Sequence, residues 1–210
     1  MKLLPKTKWG KVRVALLMAV LFYILGLPFI KYLQYEPKEG DVIFQSLPIG
    51  ELTKVIEGAT ESPYSHTGLV IKKNGDWYVR EAIKTVHDTR LYIWILRGRQ
   101  GNFSVYRLKT MYQKYKQSMI KNTEVFLNRP YDFNYKMDDA YIYCSELVFK
   151  AYKLTTGENM GKLTMLKLLH WQPYKDFILS IENKIPLDRI MITPKDLAEA
   201  EQLEKVFSTY

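Results

Sequence analysis

The dipeptide Asn74-Gly75 constrains this chain more than any other pair of residues. It separates His66-Thr-Gly-Leu-Val-Ile-Lys-Lys73 from Asp76-Trp-Tyr-Val-Arg-Glu-Ala-Ile83. Asn-Gly is favoured in two-residue type I′ turns, where both central residues need positive φ, so the two runs are predicted to pair as an antiparallel hairpin. A two-residue loop also sets the register. With Lys73 opposite Asp76, Ile71 faces Tyr78, Gly68 faces Glu81 and His66 faces Ile83, and directly opposed residues share one face of the sheet. His66 and Glu81 are then diagonal neighbours, a separation that long side chains span, and Gly68 leaves the carboxylate room to lean toward the imidazole. A carboxylate on one ring nitrogen fixes the tautomer and stabilises the imidazolium formed when the other nitrogen takes a proton. The alternative is an inert polar pair at a half-exposed sheet edge, so the chemistry turns on finding a nucleophile.

The only cysteine, Cys144, supplies one. After it, Leu147, Val148, Ala151 and Tyr152 recur at the spacing of one helix face until Gly157 supplies a stop, which places Cys144 in the first turn of a helix. Unpaired N–H groups and the positive end of the helix dipole favour negative charge there, so the thiol loses its proton more readily than a free one. Position alone also fits a small buried residue opening a core helix.

Around these two stretches the pattern predicts an α+β domain with a small, mostly antiparallel sheet. Asp41 to Gln45 is expected to be a strand, 49 to 60 a helix, and Leu91 to Leu96 and Phe103 to Leu108 two further strands. Tyr112, Tyr115, Met119 and Phe126 fall on one helical face ending before Pro130, and a polar, aromatic loop from Tyr131 to Asp139 leads to the cysteine, with Asp138 and Asp139 near the helix start. Residues 155 to 184 are weakly patterned. Pro186 to Ile192 reads as extended, and Thr193-Pro194 opens a helix through about Val206.

The net charge of +9 raises nucleic acid as a partner until it is divided. Residues 1 to 38 hold seven Lys or Arg against one Glu, leaving 24 against 21, and the remainder carries no clustered basic stripe, so no nucleic-acid partner is expected. The excess lies in Lys2, Lys6, Lys8, Lys11 and Arg13, ahead of the uncharged apolar run Val14 to Ile30. That arrangement reads as a membrane-targeting segment. Gly26-Leu-Pro-Phe-Ile-Lys31 is a poor cleavage site, so a transmembrane signal anchor is expected, with its cationic flank in the cytoplasm and the domain outside it; cleavage would instead yield a secreted protein. The expected division is 1–34 flank and anchor, 35–39 linker, and 40–210 domain.

His66, His87 and His170 lack paired-ligand spacing, so no metal is expected; no G-x-S-x-G and no phosphate-cradling loop occurs. Cysteine, histidine and a carboxylate remain, a set suited to acyl transfer without a cofactor.

Gly40-Asp-Val-Ile-Phe-Gln45, Tyr64-Ser-His-Thr-Gly-Leu-Val70, Glu81-Ala82, Tyr131-Asp-Phe133 and Tyr143-Cys-Ser-Glu-Leu-Val148 resemble the YiiX-type cysteine hydrolases. These are circularly permuted papain-like amidases related to NlpC-type cell-wall peptidases and to the lecithin:retinol acyltransferase group. The resemblance runs from about Gly40 to Leu197, with His66 preceding Cys144 as the permuted group requires. It implies Cys144 as nucleophile, His66 as base and Glu81 as third member. Papain-like enzymes stabilise the oxyanion with the cysteine's own N–H and a nearby donor; Tyr131, Tyr143 and Gln45 are the candidates, and Ser65 also belongs to the expected pocket. The substrate is expected to be a peptide or cell-wall peptide, or else an acylated lipid. A binding module that holds such ligands without turnover is the alternative outside the enzyme class.

Overall fold

The computed structural model describes residues 8–210; Lys2 and Lys6 of the cationic flank lie outside them. Its main sheet is built from β1 (Val42–Gln45), β2 (His66–Lys73), β3 (Asp76–Ala82), β4 (Val86–Arg90), β5 (Phe103–Leu108) and a last strand, Leu203–Ser208. A small ribbon pairs β6 (Thr164–Met165) with β7 (Ile190–Met191), which makes the last strand β8. The large sheet runs β4-β3-β2-β1-β5-β8 with every neighbouring pair antiparallel. Asn74 and Gly75 both take positive φ, at 52° and 88°, and the pairs Lys73–Asp76, Ile71–Tyr78 and Leu69–Arg80 give the expected register.

The helices are α1 (Lys8–Leu33), α2 (Glu51–Thr60), α3 (Leu91–Arg97), α4 (Lys116–Asn122), α5 (Cys144–Thr156), α6 (Lys175–Glu182) and α7 (Pro194–Ala198). Strand alternation sorts the core into two clusters. Val42, Phe44 and Leu69 point to the face covered by α5, whose Leu147, Val148, Ala151 and Tyr152 are fully buried. Each large apolar side chain so buried contributes about 1.5–3 kcal/mol before its entropy cost, and together they fix the axis of the helix that opens with Cys144. Ile43, Val70, Val79 and Val105 point the other way, onto Leu91, Trp94 and Ile95 of α3.

Three local expectations are corrected. Leu91 to Leu96 is helix rather than strand: the buried residues Leu91, Trp94 and Ile95 follow helical spacing, and Gly98 caps the end. The strand in this region is the polar Val86–Arg90, which forms the sheet edge, where side chains need not be apolar. The helix predicted through Phe126 breaks into 3-10 turns at Thr110–Tyr115 and Thr123–Phe126 around α4. Thr123 Oγ1 donates to Ile120 O and accepts from Arg80, a local alternative to continuing the helix. The C-terminal helix begins as expected, with Thr193 capping Asp196 N–H at 3.1 Å, but stops at Ala198, and β8 closes the otherwise open edge of β5.

α1 contains a π-helical turn at Phe22–Gly26, ahead of Pro28. Its first part exposes Leu16, Leu17 and Phe22, whereas its last two turns pack on the domain. Pro28 is buried at Gly101, the rings of Phe29 and Tyr32 lie 5.7 and 5.6 Å from Tyr92 on α3, and Lys31 Nζ donates to Gln100 O and Asn102 Oδ1. The expected linker is also held at its start, since the buried Tyr35 donates its hydroxyl to Asp41 at 2.7 Å.

Candidate active site

Cys144 is the first residue of α5 and is buried. Tyr143 precedes it in extended conformation, and Glu146 accepts the Tyr143 N–H at 3.1 Å, which closes the helix start. Asp138 and Asp139 do not cap α5: Asp138 accepts the N–H groups of Ala140 and Tyr141, and Asp139 pairs with Lys150. Ser145 donates to Ile192 O at 2.8 Å, tying the first turn of α5 to the chain beyond β7. The thiol itself meets the backbone N–H groups of Ser145 and Thr67 and the imidazole of His66.

His66 and Glu81 occupy the sheet face that carries α3, opposite the face packed by α5. Cys144 reaches the ring because both lie at the end of the sheet where β2 begins. His66 Nε2 is 2.5 Å from Glu81 Oε2, with both side chains buried. The alternative of a half-exposed edge pair does not hold, since both side chains lie in the interior. A Cβ on Gly68 would stand 3.4 Å from Glu81 Cβ and 2.4 Å from Val79 Cγ1, so glycine does open the space beside the carboxylate.

The sequence reading did not find the groups that hold Glu81. Trp94 Nε1 donates to Oε2 at 3.0 Å, Arg97 forms an ion pair with the same oxygen, and Thr89 donates to Oε1 at 2.5 Å. The Trp94 ring also stacks on His66, with centroids 5.9 Å apart and planes inclined by 29°. Trp94 and Arg97 lie three apart, which would place them on one face of a helix, but the signal is lost once the run is read as strand.

Burial disfavours charge on all three groups, and their mutual contacts outweigh it. Hydrogen bonding and charge from Cys144 and Glu81 lift His66 to about 9. Burial raises the Cys144 thiol, yet His66, followed by the N–H groups of Thr67 and Ser145, brings it below its ordinary value. Glu81, despite burial, falls to about 2 through His66 and Arg97. The contacts thus all work in one direction, favouring the proton on His66 and the ionised forms of Cys144 and Glu81 relative to the isolated groups.

Of the remaining expected residues, Tyr131 places its hydroxyl at Cys144 and 3.3 Å from the hydroxyl of Tyr135, a residue the sequence reading did not single out. Burial foremost holds both phenols well above their ordinary pKa, so they stay protonated donors. Tyr143 turns elsewhere: its hydroxyl donates to Met137 Sδ and accepts from Ile192 N–H. Gln45 pairs with His66 across the strands and lies buried against Gly98, its amide atoms making no hydrogen bond among the described residues. Ser65 accepts the Leu47 N–H at 2.9 Å and lines a small cavity beside His66. A second cavity, of about 100 Å³ and open to solvent, has Cys144 on its wall and extends between α2, α6 and the β6–β7 ribbon.

Fold and site together define a papain-like thiol hydrolase in which histidine precedes cysteine. The family described as permuted papain-like amidase enzyme, YaeF/YiiX, C92, matches residues 36–207, and the chain belongs to it. The uncharacterized protein YiiX of Escherichia coli (strain K12) is 32% identical over 176 residues, covering 82% of this chain and 87% of that one. A crystal structure of yiiX from Escherichia coli O157:H7, described as a metalloprotein, aligns with a TM-score of 0.76 at 31% identity, covering 84% of this chain and 99% of that one. In the present chain no three His, Cys, Asp or Glu side chains converge to hold a metal among the described residues. Glu81 already receives His66, Trp94, Thr89 and the Arg97 cation, a donor set that suits an anion and repels a metal ion, so a resident metal does not fit here.

Proposed function

We propose that the chain is a membrane-anchored cysteine hydrolase that cleaves an amide through Cys144, His66 and Glu81, with residues 40–210 outside the cytoplasm. The observation that carries the reading is the buried His66–Glu81 pair, Nε2 to Oε2 at 2.5 Å, with the buried Cys144 thiol interacting with the same imidazole. The Cys144 thiolate attacks the substrate carbonyl carbon, forming a C–S bond. The His66 imidazolium gives its proton to the leaving nitrogen as the C–N bond breaks. Water then attacks the thioester, His66 takes its proton, and the acid leaves with the thiolate restored. Glu81 holds the ring in register throughout. The N–H of Cys144 and the Tyr131 hydroxyl are the donors best placed for the oxyanion.

Anchoring is supported by α1, 26 residues whose most apolar 18-residue window has a mean hydropathy of 2.2 and is only 6% buried. At about 1.5 Å per residue its uncharged run, Val14 to Ile30, is roughly 26 Å long, at the short end for a hydrocarbon core of about 30 Å. Iodoacetamide alkylation of the purified full chain across pH tests the triad. Cys144 should react faster than a free thiol at about pH 6 and lose that advantage in His66→Ala; equal rates in both end the proposal. Cell-wall fragments and acylated lipids, each incubated with the wild type and with Cys144→Ala, show which product depends on the thiol.

A further inference from the structure

The segment between Pro130 and α5 is held in a backbone that its residues do not favour. Tyr135 and Met137 lie in the left-handed region, at φ 54° and 60°, where bulky side chains rarely sit, and such strain persists only when the surroundings over-determine it. Three side chains do so here. The buried carboxylate of Asp132 accepts the N–H groups of Asn134 and Lys136 at 2.8 and 2.6 Å, and Arg189, next to β7, donates to Asn134 O at 2.6 Å. Lys150 of α5 donates to Met137 O and Asp138 O at 3.1 and 2.7 Å. It also pairs with Glu146, the residue that closes the start of the cysteine helix, so the segment and the nucleophile are fixed to one frame.

What the strained backbone delivers is a phenol. The Tyr135 ring packs on Tyr143 with centroids 4.8 Å apart and on Tyr131 at 6.4 Å, edge to face, and its hydroxyl stops 3.3 Å from that of Tyr131, which lies at Cys144. Each hydroxyl has one proton to give. When Tyr131 gives its proton toward the reacting centre, its oxygen is left to accept from Tyr135, and a donor that also accepts is the stronger donor. We propose that Tyr135 is a positioning residue for acyl transfer: its hydroxyl donates to Tyr131 and aims the Tyr131 proton at the carbonyl oxygen of the group that Cys144 attacks. The inference rests on the triad and the Tyr131 donor proposed above, and adds the residue that sets that donor.

The test compares two reactions of Cys144 in the purified full chain, with Cys144→Ala as the blank. Alkylation by iodoacetamide displaces iodide and develops no oxyanion. Acylation by p-nitrophenyl acetate does: the thiolate adds to the carbonyl carbon, a C–S bond forms, the C–O bond breaks, and nitrophenolate leaves and is read by its colour. Tyr135→Phe keeps the ring and removes the hydroxyl, so acylation should fall about tenfold relative to alkylation. Tyr131→Phe should lower the same ratio at least about a hundredfold, as loss of an oxyanion donor does. Adding Tyr135→Phe to it should change the ratio by less than about twofold, because Tyr135 acts through Tyr131. Equal loss of both reactions in Tyr135→Phe, which a merely structural role would give, an unchanged ratio, or a further loss of about tenfold on the Tyr131→Phe background overturns the proposal. Alkylation judges the triad separately. A wild type that alkylates rapidly through His66 but is not acylated refutes this proposal alone, and one whose alkylation ignores His66→Ala refutes the triad.

Discussion

Replacing Glu81 by Gln keeps the shape of the side chain and removes its charge, which isolates what the carboxylate does for His66. The rise of His66 from 6.5 to about 9 corresponds, at about 1.4 kcal/mol per pH unit, to on the order of 3 kcal/mol. Cys144 and Glu81 both contribute through hydrogen bonds and charge, so the part due to Glu81 is about 1–2 kcal/mol, or roughly a tenfold change in the thiolate–imidazolium population. The alkaline limb of thiol reactivity or turnover, set near 9 by His66, should therefore move down by about one pH unit in Glu81→Gln. Alkylation at about pH 6 should slow by roughly tenfold.

Stability supplies an independent readout. The raised pKa of His66 gives a contribution present in full below 6.5 and lost as pH rises through about 9. The lowered pKa of Glu81 gives one present above 4.5 and lost as pH falls through about 2. The difference between wild type and Glu81→Gln in urea unfolding should thus be largest between 4.5 and 6.5 and shrink as pH passes 9. An alkylation profile that overlays the wild type, with a stability difference flat across this range, would refute the assignment of Glu81 as the group that orients and charges His66.

Gly68→Ala should cost several kcal/mol, because its Cβ would lie 2.4 Å from Val79 Cγ1 and 2.8 Å from Arg80 O in a strand that cannot shift; the urea midpoint measures it, and a near-neutral value contradicts the packing argument. Trp94→Phe keeps an aromatic ring over His66 but removes the indole donor to Glu81, so an unfolding loss of about 1.5–3 kcal/mol is expected from the unmatched charged acceptor. Glu146 is raised to about 7 mainly by burial, against the pull of Lys150. Its penalty is absent below 4.5 and complete above 7, so Glu146→Gln should abolish a fall in stability of up to about 3 kcal/mol across that interval, seen as a flat pH profile of urea midpoints. Alkaline carbonate washing should leave the full chain in the membrane fraction, whereas a peripheral protein would be released.

The hairpin and the cysteine helix were legible because each is governed locally. Asn74-Gly75 admits few turn geometries, and the spacing after Cys144 fits a helix bounded by Gly157, which takes φ 80° at the cap. Their meeting was legible only through the resemblance, since nothing local joins residue 66 to residue 144. Leu91–Arg97 was misread because a short apolar run satisfies both strand and helix, and that error concealed Trp94 and Arg97. β8 escaped for the opposite reason: its exposed Glu204 and Lys205 carry little strand signal, and its pairing is imposed by the open edge of β5.

Those concealed residues bear on why so many charges can be buried together. Thiolate, imidazolium and carboxylate alone would leave a net negative cluster at the end of the sheet, and burying an uncompensated charge costs several kcal/mol. The Arg97 guanidinium, 27% exposed and paired with Glu81, brings the set of four to neutrality while keeping part of its own hydration. The arrangement is therefore asymmetric. In the mechanism we propose, His66 is the partner that moves protons, and Arg97 is the fixed counter-ion beside Glu81. Because α3 also receives Phe29 and Tyr32 at Tyr92, the helix that supplies this counter-ion is the same one on which α1 rests. Attachment to the apolar helix and charge balance at the site thus depend on one seven-residue segment, Leu91–Arg97, whose displacement would disturb both.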